Sequence, residues 1–308
     1  MRKESIAFTV AGDQVVGHLY LPEHSSGTSP AILLAGPMTS VKEQVTGVYA
    51  QALCQRGFVT LAIDHRHFGE SGGLPRQYEY FPDKIADLST ALTVLKARPE
   101  VDSTQLNAVG ICLGAGYMAH AIARRTDVRH FAGVAGYYRD VAAMKASNAG
   151  RFNQAIRQGQ RAQAHYEQTG EVLMIPAASL TGDAAMKLQS TFDYYAGRAQ
   201  HSNYRNEFAV MSRAFFPTFD VQQVASQLQS RFLMIHGNNA LNPDWAQSFY
   251  KQVKTEKACV LLASDNQTAW YDTPAIVAEA SDNIAQWFTP TKENKDEPEN
   301  LTTSASIE

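Results

Sequence analysis

The sequence predicts an α/β fold: a mostly parallel sheet covered on both faces by helices, with a helical cap inserted late in the chain. Three observations carry that expectation. Short apolar runs alternate with longer helix-like segments through most of the chain. The alternation lapses between Tyr137 and Gln229. One apolar run also ends in a glycine-flanked turn that opens directly into a helix-like segment. Parallel strands joined by crossover helices bury such runs on both faces.

The elements follow in order. Ile6 to Val10, the turn Ala11-Gly12-Asp13, and Val15 to Leu21 read as an opening hairpin. Ala31 to Leu34, bounded by Pro30 and Gly36, has the length of a doubly covered strand. A helix from about Lys42 to Gln55 stops at Gly57, and Phe58 to Asp64 is the next strand. A helix over about Pro82 to Lys96 precedes the strand Leu106 to Val109, and Tyr117 to Ala123 is again helix-like. Phe131 to Ala135, Phe232 to Ile235 and Ala258 to Ala263 supply three more strands, and Pro274 to Phe288 is the closing helix. The expected division is a core over 1–136 and 230–288, a helical cap over 137–229, and an acidic, disordered tail over 289–308. The cap would cover the C-terminal edge of the sheet, where open α/β sheets bind ligands.

Composition closes several function classes. At 308 residues and 44% apolar content, the chain can bury a large core as one elaborated domain. A net charge of −3 with mixed signs predicts no nucleic-acid partner. No run approaches the ~18 apolar residues of a membrane span. Met1-Arg2-Lys3-Glu4-Ser5 leads into alternating residues rather than an apolar leader, and the three cysteines stand at unrelated spacings. Together these predict reduced thiols and a cytoplasmic protein. Cys54 and Cys259 sit in apolar runs and read as buried structural thiols. No cofactor is expected. The cysteines and histidines lack metal-ligand spacing, and Gly69-Glu70-Ser71-Gly72-Gly73 has no Walker lysine.

The sharpest signal is Val109-Gly110-Ile111-Cys112-Leu113-Gly114-Ala115-Gly116. A strand, a one-residue turn and a helix in that order form a nucleophile elbow, here with cysteine where serine is usual. Gly110 and Gly114 remove Cβ atoms where strand and helix crowd together. Cys112 would sit at the helix N-terminus, whose dipole favours a thiolate.

Several blocks resemble the dienelactone-hydrolase-like α/β-hydrolases, in particular the branch with fungal polyketide transferases and thiohydrolases. These are Gly36 to Gln44, Asp64 to Gly73, the Gly110 to Tyr117 elbow, Tyr137-Tyr138-Arg139-Asp140, and Arg205 to Ala209. The similarity runs from about Ile6 to Phe288. It implies an α/β-hydrolase fold, Cys112 as nucleophile, an Asp after the strand ending at His236, and a His after the strand ending at Ala263. In relatives the late motif reads His, three residues, Tyr-Asp. Here Gln267 stands at the histidine position of Gln267-Thr268-Ala269-Trp270-Tyr271-Asp272, and the acid position falls on Leu241. No histidine follows His236, so both triad partners of Cys112 are expected to be lost.

The oxyanion hole is expected to survive. Leu113 N–H follows the nucleophile, and Met38 supplies the second N–H because Pro37 has none. A thiol is a few per cent ionised near neutrality, so acylation of Cys112 by an activated thioester remains feasible without a base. Deacylation would be slow, since a general base is worth about 10²–10⁴-fold. Gln267 cannot take a proton and is assigned a polar contact to ligand or intermediate. Gly36, Pro37, Tyr137, Tyr138 and Trp270 are the expected substrate-binding residues, with Tyr194 and Tyr195 as further walls. His65 and His67 are expected at the pocket rim, His236 in packing, and Asp140 and Asp244 as displaced-acid candidates.

The leading expectation is therefore cofactor-independent acyl chemistry on an ester, lactone or acyl-thioester, by hydrolysis or transfer. The secondary-metabolite context comes from the resemblance alone. Two other classes stay open: a non-catalytic binder of a small hydrophobic ligand, and a lyase or cyclase that uses the oxyanion hole without Cys112. The exposed cap also offers a surface on which a homo-oligomer could form.

Overall fold

The apolar runs pair into one eight-stranded sheet, in a computed structural model that describes residues 1–23 and 27–289. The hairpin β1 (Arg2–Val10) and β2 (Asp13–Leu21) is antiparallel, with Val10 opposite Asp13. Then come β3 (Ser29–Ala35), α1 (Val45–Cys54), β4 (Val59–Ile63), α2 (Phe81–Lys96), β5 (Val101–Ile111), α3 (Leu113–Ile122) and β6 (His130–Val134). The intervening segment carries α4 (Val141–Ser147), α5 (Ala149–Thr169), β7 (Met174–Ile175), α6 (Gln189–Phe192) and β8 (Phe208–Ala209). The sheet resumes with β9 (Arg231–His236), α7 (Pro243–Gln252), β10 (Lys257–Leu261), α8 (Ala269–Asp272) and α9 (Pro274–Phe288).

The strand order is β1-β2-β4-β3-β5-β6-β9-β10. Within this sheet the β1–β2 and β2–β4 pairings are antiparallel and those from β4 across to β10 are parallel, while β7 and β8 form a separate antiparallel pair. This places β5 inside the sheet, with Gly110 opposite both Ala35 and Gly133. β4 and β6 are buried along their length, and β5 from Leu106 to Ile111, because helices cover both faces.

Two sequence expectations shift. The helix expected from Lys42 begins at Val45, because Gln44 N–H closes a turn on Val41 C=O and Lys42 N–H donates to Asp64 Oδ1 at 2.7 Å. Cys54 is buried, but Cys259 is exposed. Its strand β10 is a sheet edge with one neighbour, so outward positions such as Cys259 and Leu261 meet solvent. Almost all of the expected disordered tail, residues 290–308, lies outside the described residues. Among the described residues, no helix is long and apolar enough to cross a membrane.

Candidate active site

The elbow is where β5 stops and α3 starts. Cys112 sits between them at φ 54° and ψ −125°, outside the ordinary regions for an L-residue. Such backbone costs about 1–3 kcal/mol and persists only where its surroundings enforce it. Cys112 N–H donates to Val134 C=O at 3.1 Å, and its own C=O accepts from Tyr137 N–H at 2.9 Å. The flanking glycines are needed for space. A Cβ on Gly110 would lie 2.4 Å from Ala115 Cα, and one on Gly114 would lie 2.2 Å from Ala35 O.

Cys112, Leu113, Pro37, Met38 and Tyr137 line a single cavity of about 880 Å³ at the sheet's C-terminal edge. The segment expected as a cap supplies much of the opposite wall, including Arg151, Met186, Leu188 and Phe216. Tyr195 and Tyr271 also line it.

The other expected walls do not reach the cavity. Tyr138 is fully buried and stacks on Phe249 at 4.4 Å, within the core. Trp270 is equally buried, with its indole N–H on Ser264 Oγ at 2.8 Å. Tyr194 packs edge-on against Tyr271 and stays out of the lining. Gly36 is buried and does not line the cavity; a Cβ there would come 2.7 Å from Ser40 Oγ, so the tight turn needs glycine.

Gln267 lies against Cys112 but behind the cavity wall. It is 2% exposed, its Oε1 accepts from Leu241 N–H at 2.8 Å, and its Nε2 donates to Ala135 C=O at 2.9 Å. Both ends of the amide are thus taken by backbone. The side chain ties the two loops together and does not line the cavity. Leu241, at the acid position, does line the cavity.

Burial pushes the Cys112 thiol above its ordinary pKa. The Tyr271 hydroxyl, Leu113 N–H and Gln267 amide favour the thiolate but do not overcome that burial. The thiolate expected from the helix terminus alone is therefore opposed by the dry setting. Tyr271 is the neighbour that the sequence reading overlooked. Its phenol hydrogen-bonds Cys112, and burial first, then the field of Cys112, hold it well above the usual tyrosine range. The residue was visible as the Tyr of the late Tyr-Asp motif, yet nothing in the motif shows that its hydroxyl reaches the sulfur.

No histidine lines the cavity among the described residues. The ring nitrogens of His236 lie 3.2 Å from the Gly136 and Gly237 carbonyls; burial lowers its pKa, and the neutral ring donates to one of the two. His65 and His67 are buried in hydrogen-bond contact with Asp87 at 3.3 Å and Asp83 at 2.9 Å and do not line the cavity. Asp140 caps α4 by accepting Ala143 N–H at 2.8 Å, and Asp244 lies outside the lining.

Two buried carboxylates fix the loop that carries Met38. Glu79 accepts Thr39 N–H at 2.9 Å and the Tyr117 hydroxyl at 2.5 Å, and pairs with buried Lys84 at 2.7 Å. Asp64 accepts Lys42 N–H and pairs with Lys42 Nζ, each at 2.7 Å. Lys42 also pairs with Glu43 and Glu70. His18, Glu43 and Glu70 come close enough to hold a cation, but this ammonium already occupies the two carboxylates.

The family follows from comparison of the whole chain. A model of the family described as serine aminopeptidase, S33 matches residues 44–264, which include the elbow and the loop after β9. The chain belongs to this family of α/β-hydrolases. The family's fold accounts for the parallel sheet and the elbow position. PA2218 of Pseudomonas aeruginosa, an uncharacterized protein, is 29% identical over 85% of this chain and 73% of its own. Its crystal structure superposes with a TM-score of 0.81 at 24% identity, covering 93% of this chain and 92% of that one. YcjY of Escherichia coli is 27% identical over 94% of this chain and 100% of its own. The thiohydrolase aneE of Aspergillus aculeatus is 36% identical, over 33% of this chain and 31% of its own. The similarity thus joins this chain to both bacterial and fungal proteins.

Proposed function

We propose that this α/β-hydrolase performs cofactor-independent acyl chemistry on esters or acyl-thioesters, with Cys112 as nucleophile and no histidine base. The observation that carries the reading is the placement of Cys112. Its thiol stands at a positive-φ elbow, in one cavity with Leu113 and Met38. That backbone is costly and serves to present a side chain at the sheet edge.

The sulfur adds to the substrate carbonyl carbon, and the oxygen gains negative charge facing the Leu113 and Met38 N–H groups. The intermediate then expels the alcohol or thiol, which leaves with the proton that Cys112 gave up. The product is an acyl-enzyme, cleared by water or by an acceptor nucleophile. The Tyr271 hydroxyl hydrogen-bonds the sulfur and stabilises the thiolate. Gln267 holds the 135 and 241 loops in register behind it. The 137–229 segment acts as the cap that closes over the acyl group. The thiohydrolase likeness supports a thioester as the preferred substrate.

A second reading has its own observation. Position 267 holds an amide, which takes no proton, and among the described residues no histidine lines the cavity. This favours a ligand-binding protein that has lost turnover. Steady-state turnover of acyl-N-acetylcysteamine thioesters separates the two. The acyl reading expects slow turnover that Cys112→Ala abolishes. Turnover unchanged in Cys112→Ala overturns the nucleophile, and saturable binding without any turnover favours the binder.

A further inference from the structure

The cavity wall carries a charge opposite to that of the chain. Its lining includes four cations, Arg139, Arg151, Lys187 and Arg213, against one carboxylate, Asp183. Arg213 is neutralised by Asp183 at 2.6 and 2.8 Å. Arg139, Arg151 and Lys187 make no ion pair among the described residues. The whole chain is nevertheless acidic, at −3.

Arg139 is the unusual member. It is 3% exposed, yet its Nε has no hydrogen-bond partner. Among the described residues, one guanidinium nitrogen is engaged, Nη2 donating to Pro217 C=O at 3.2 Å. Phe216 covers one face of the guanidinium, with Cζ 4.3 Å from the ring centroid, and Tyr137 lies at 6.0 Å. The backbone is also pinned, Arg139 N–H donating to Tyr137 C=O and Val221 N–H to Arg139 C=O, each at 3.0 Å. Asp220 lies close enough for its field to reach Arg139, but it forms no ion pair there and its Oδ1 accepts Gln222 N–H. A buried guanidinium is ordinarily paired with a carboxylate, because leaving it alone is costly. Held flat by an aromatic ring in the wall of the Cys112 cavity, it has the form of an anion-recognition site awaiting its partner.

We infer that Arg139, in a cavity that Arg151 and Lys187 also line, is a subsite for an anionic oxygen group, a carboxylate or phosphate, on the molecule that enters the Cys112 cavity. The inference rests on the proposed acyl reading for its substrate and deepens it: the substrate is an anionic acyl ester or thioester. The anion can sit on the acyl group or on the thiol carrier. Either source satisfies the guanidinium.

Binding to the Cys112→Ala protein tests this without requiring turnover. Three probes are titrated: glutaryl-N-acetylcysteamine, its neutral methyl ester, and pentanoyl-coenzyme A. The expected result is that one anionic probe binds about 10- to 100-fold tighter than the neutral ester, the range of one or two charge-assisted contacts. Preference for glutaryl-N-acetylcysteamine puts the anion on the acyl group; preference for the coenzyme A thioester puts it on the carrier. Arg139→Met removes the preference, and Arg139→Lys retains part of it. Equal affinity for all three probes in the Cys112→Ala protein overturns the inference, even if the Arg139 variants do not fold. So does a preference that survives in folded Arg139→Met. An Arg139-dependent preference together with a Cys112 that never acylates would keep the subsite and remove the acyl reading.

Discussion

Gln267→Glu changes one atom's chemistry while keeping the side chain's shape. The native amide donates from Nε2 to Ala135 C=O at 2.9 Å and accepts Leu241 N–H at Oε1, at 2% exposure. A carboxylate in the same pose would set an oxygen against the Ala135 carbonyl oxygen, two acceptors facing each other. The native contacts survive only if the introduced carboxyl group is protonated, so its folded pKa rises far above the unfolded value of about 4.3. A raised folded pKa means that the variant keeps its stability below the unfolded pKa and loses it as pH rises. The loss grows by about 1.4 kcal/mol per pH unit, from about 1 kcal/mol at pH 5 to about 4 kcal/mol at pH 7. The growth stops where pH passes the folded pKa. Urea unfolding of wild type and variant across pH 5 to 8 measures this difference directly. Gln267→Leu is the contrast: it strands both backbone groups at any pH, costing a pH-independent amount of about 2–4 kcal/mol. A Gln267→Glu difference that stays flat from pH 5 to 7 would refute the picture of an amide locked between two loops.

Other outcomes follow from the same geometry. Gly114→Ala forces a Cβ to within 2.2 Å of Ala35 O and should destabilise the fold by about 3 kcal/mol or more; a loss under about 1 kcal/mol in urea unfolding would mean the elbow is not so tightly packed. Burial raises the Cys112 pKa, so its alkylation by iodoacetamide, read at Cys112 by peptide mass spectrometry, should be slow at pH 7 and still rising at pH 9. Tyr271→Phe removes a thiolate-stabilising hydroxyl and should move that profile to higher pH; a profile already level at pH 7 contradicts the assignment. Glu79→Gln leaves Lys84 buried without its carboxylate and loosens Thr39 N–H, with an expected cost of about 3 kcal/mol by thermal or urea unfolding and slower acylation of Cys112.

The sheet was legible because burial on both faces writes itself as a short unbroken apolar run. The runs 31–34, 58–64, 106–109, 131–135 and 232–235 all became inner strands, and α9 spans the expected Pro274–Phe288. Pro274 at the helix start needs no N–H partner, which fixed that boundary. The run 258–263 misled because an edge strand can also be apolar, and only pairing distinguishes Cys259 exposed from Cys259 buried. The elbow was legible from two glycines whose absent Cβ atoms are a steric requirement. The choice between Trp270 and Tyr271 was not. They are neighbours in a four-residue helix, where successive side chains diverge by ~100°, so a small rotation decides which one meets Cys112. The buried ion pairs of Lys42 and Glu79 were invisible for a related reason. A charged residue in a loop looks solvated until the fold brings its partner from a distant segment.

Intact-protein mass spectrometry after mixing with acyl-N-acetylcysteamine and acyl-coenzyme A thioesters tests the central claim most directly. The account predicts a single acyl adduct on wild type, absent from Cys112→Ala, that decays slowly in buffer because no histidine activates water. No adduct and no product across the panel, or an adduct that persists in Cys112→Ala, would contradict it.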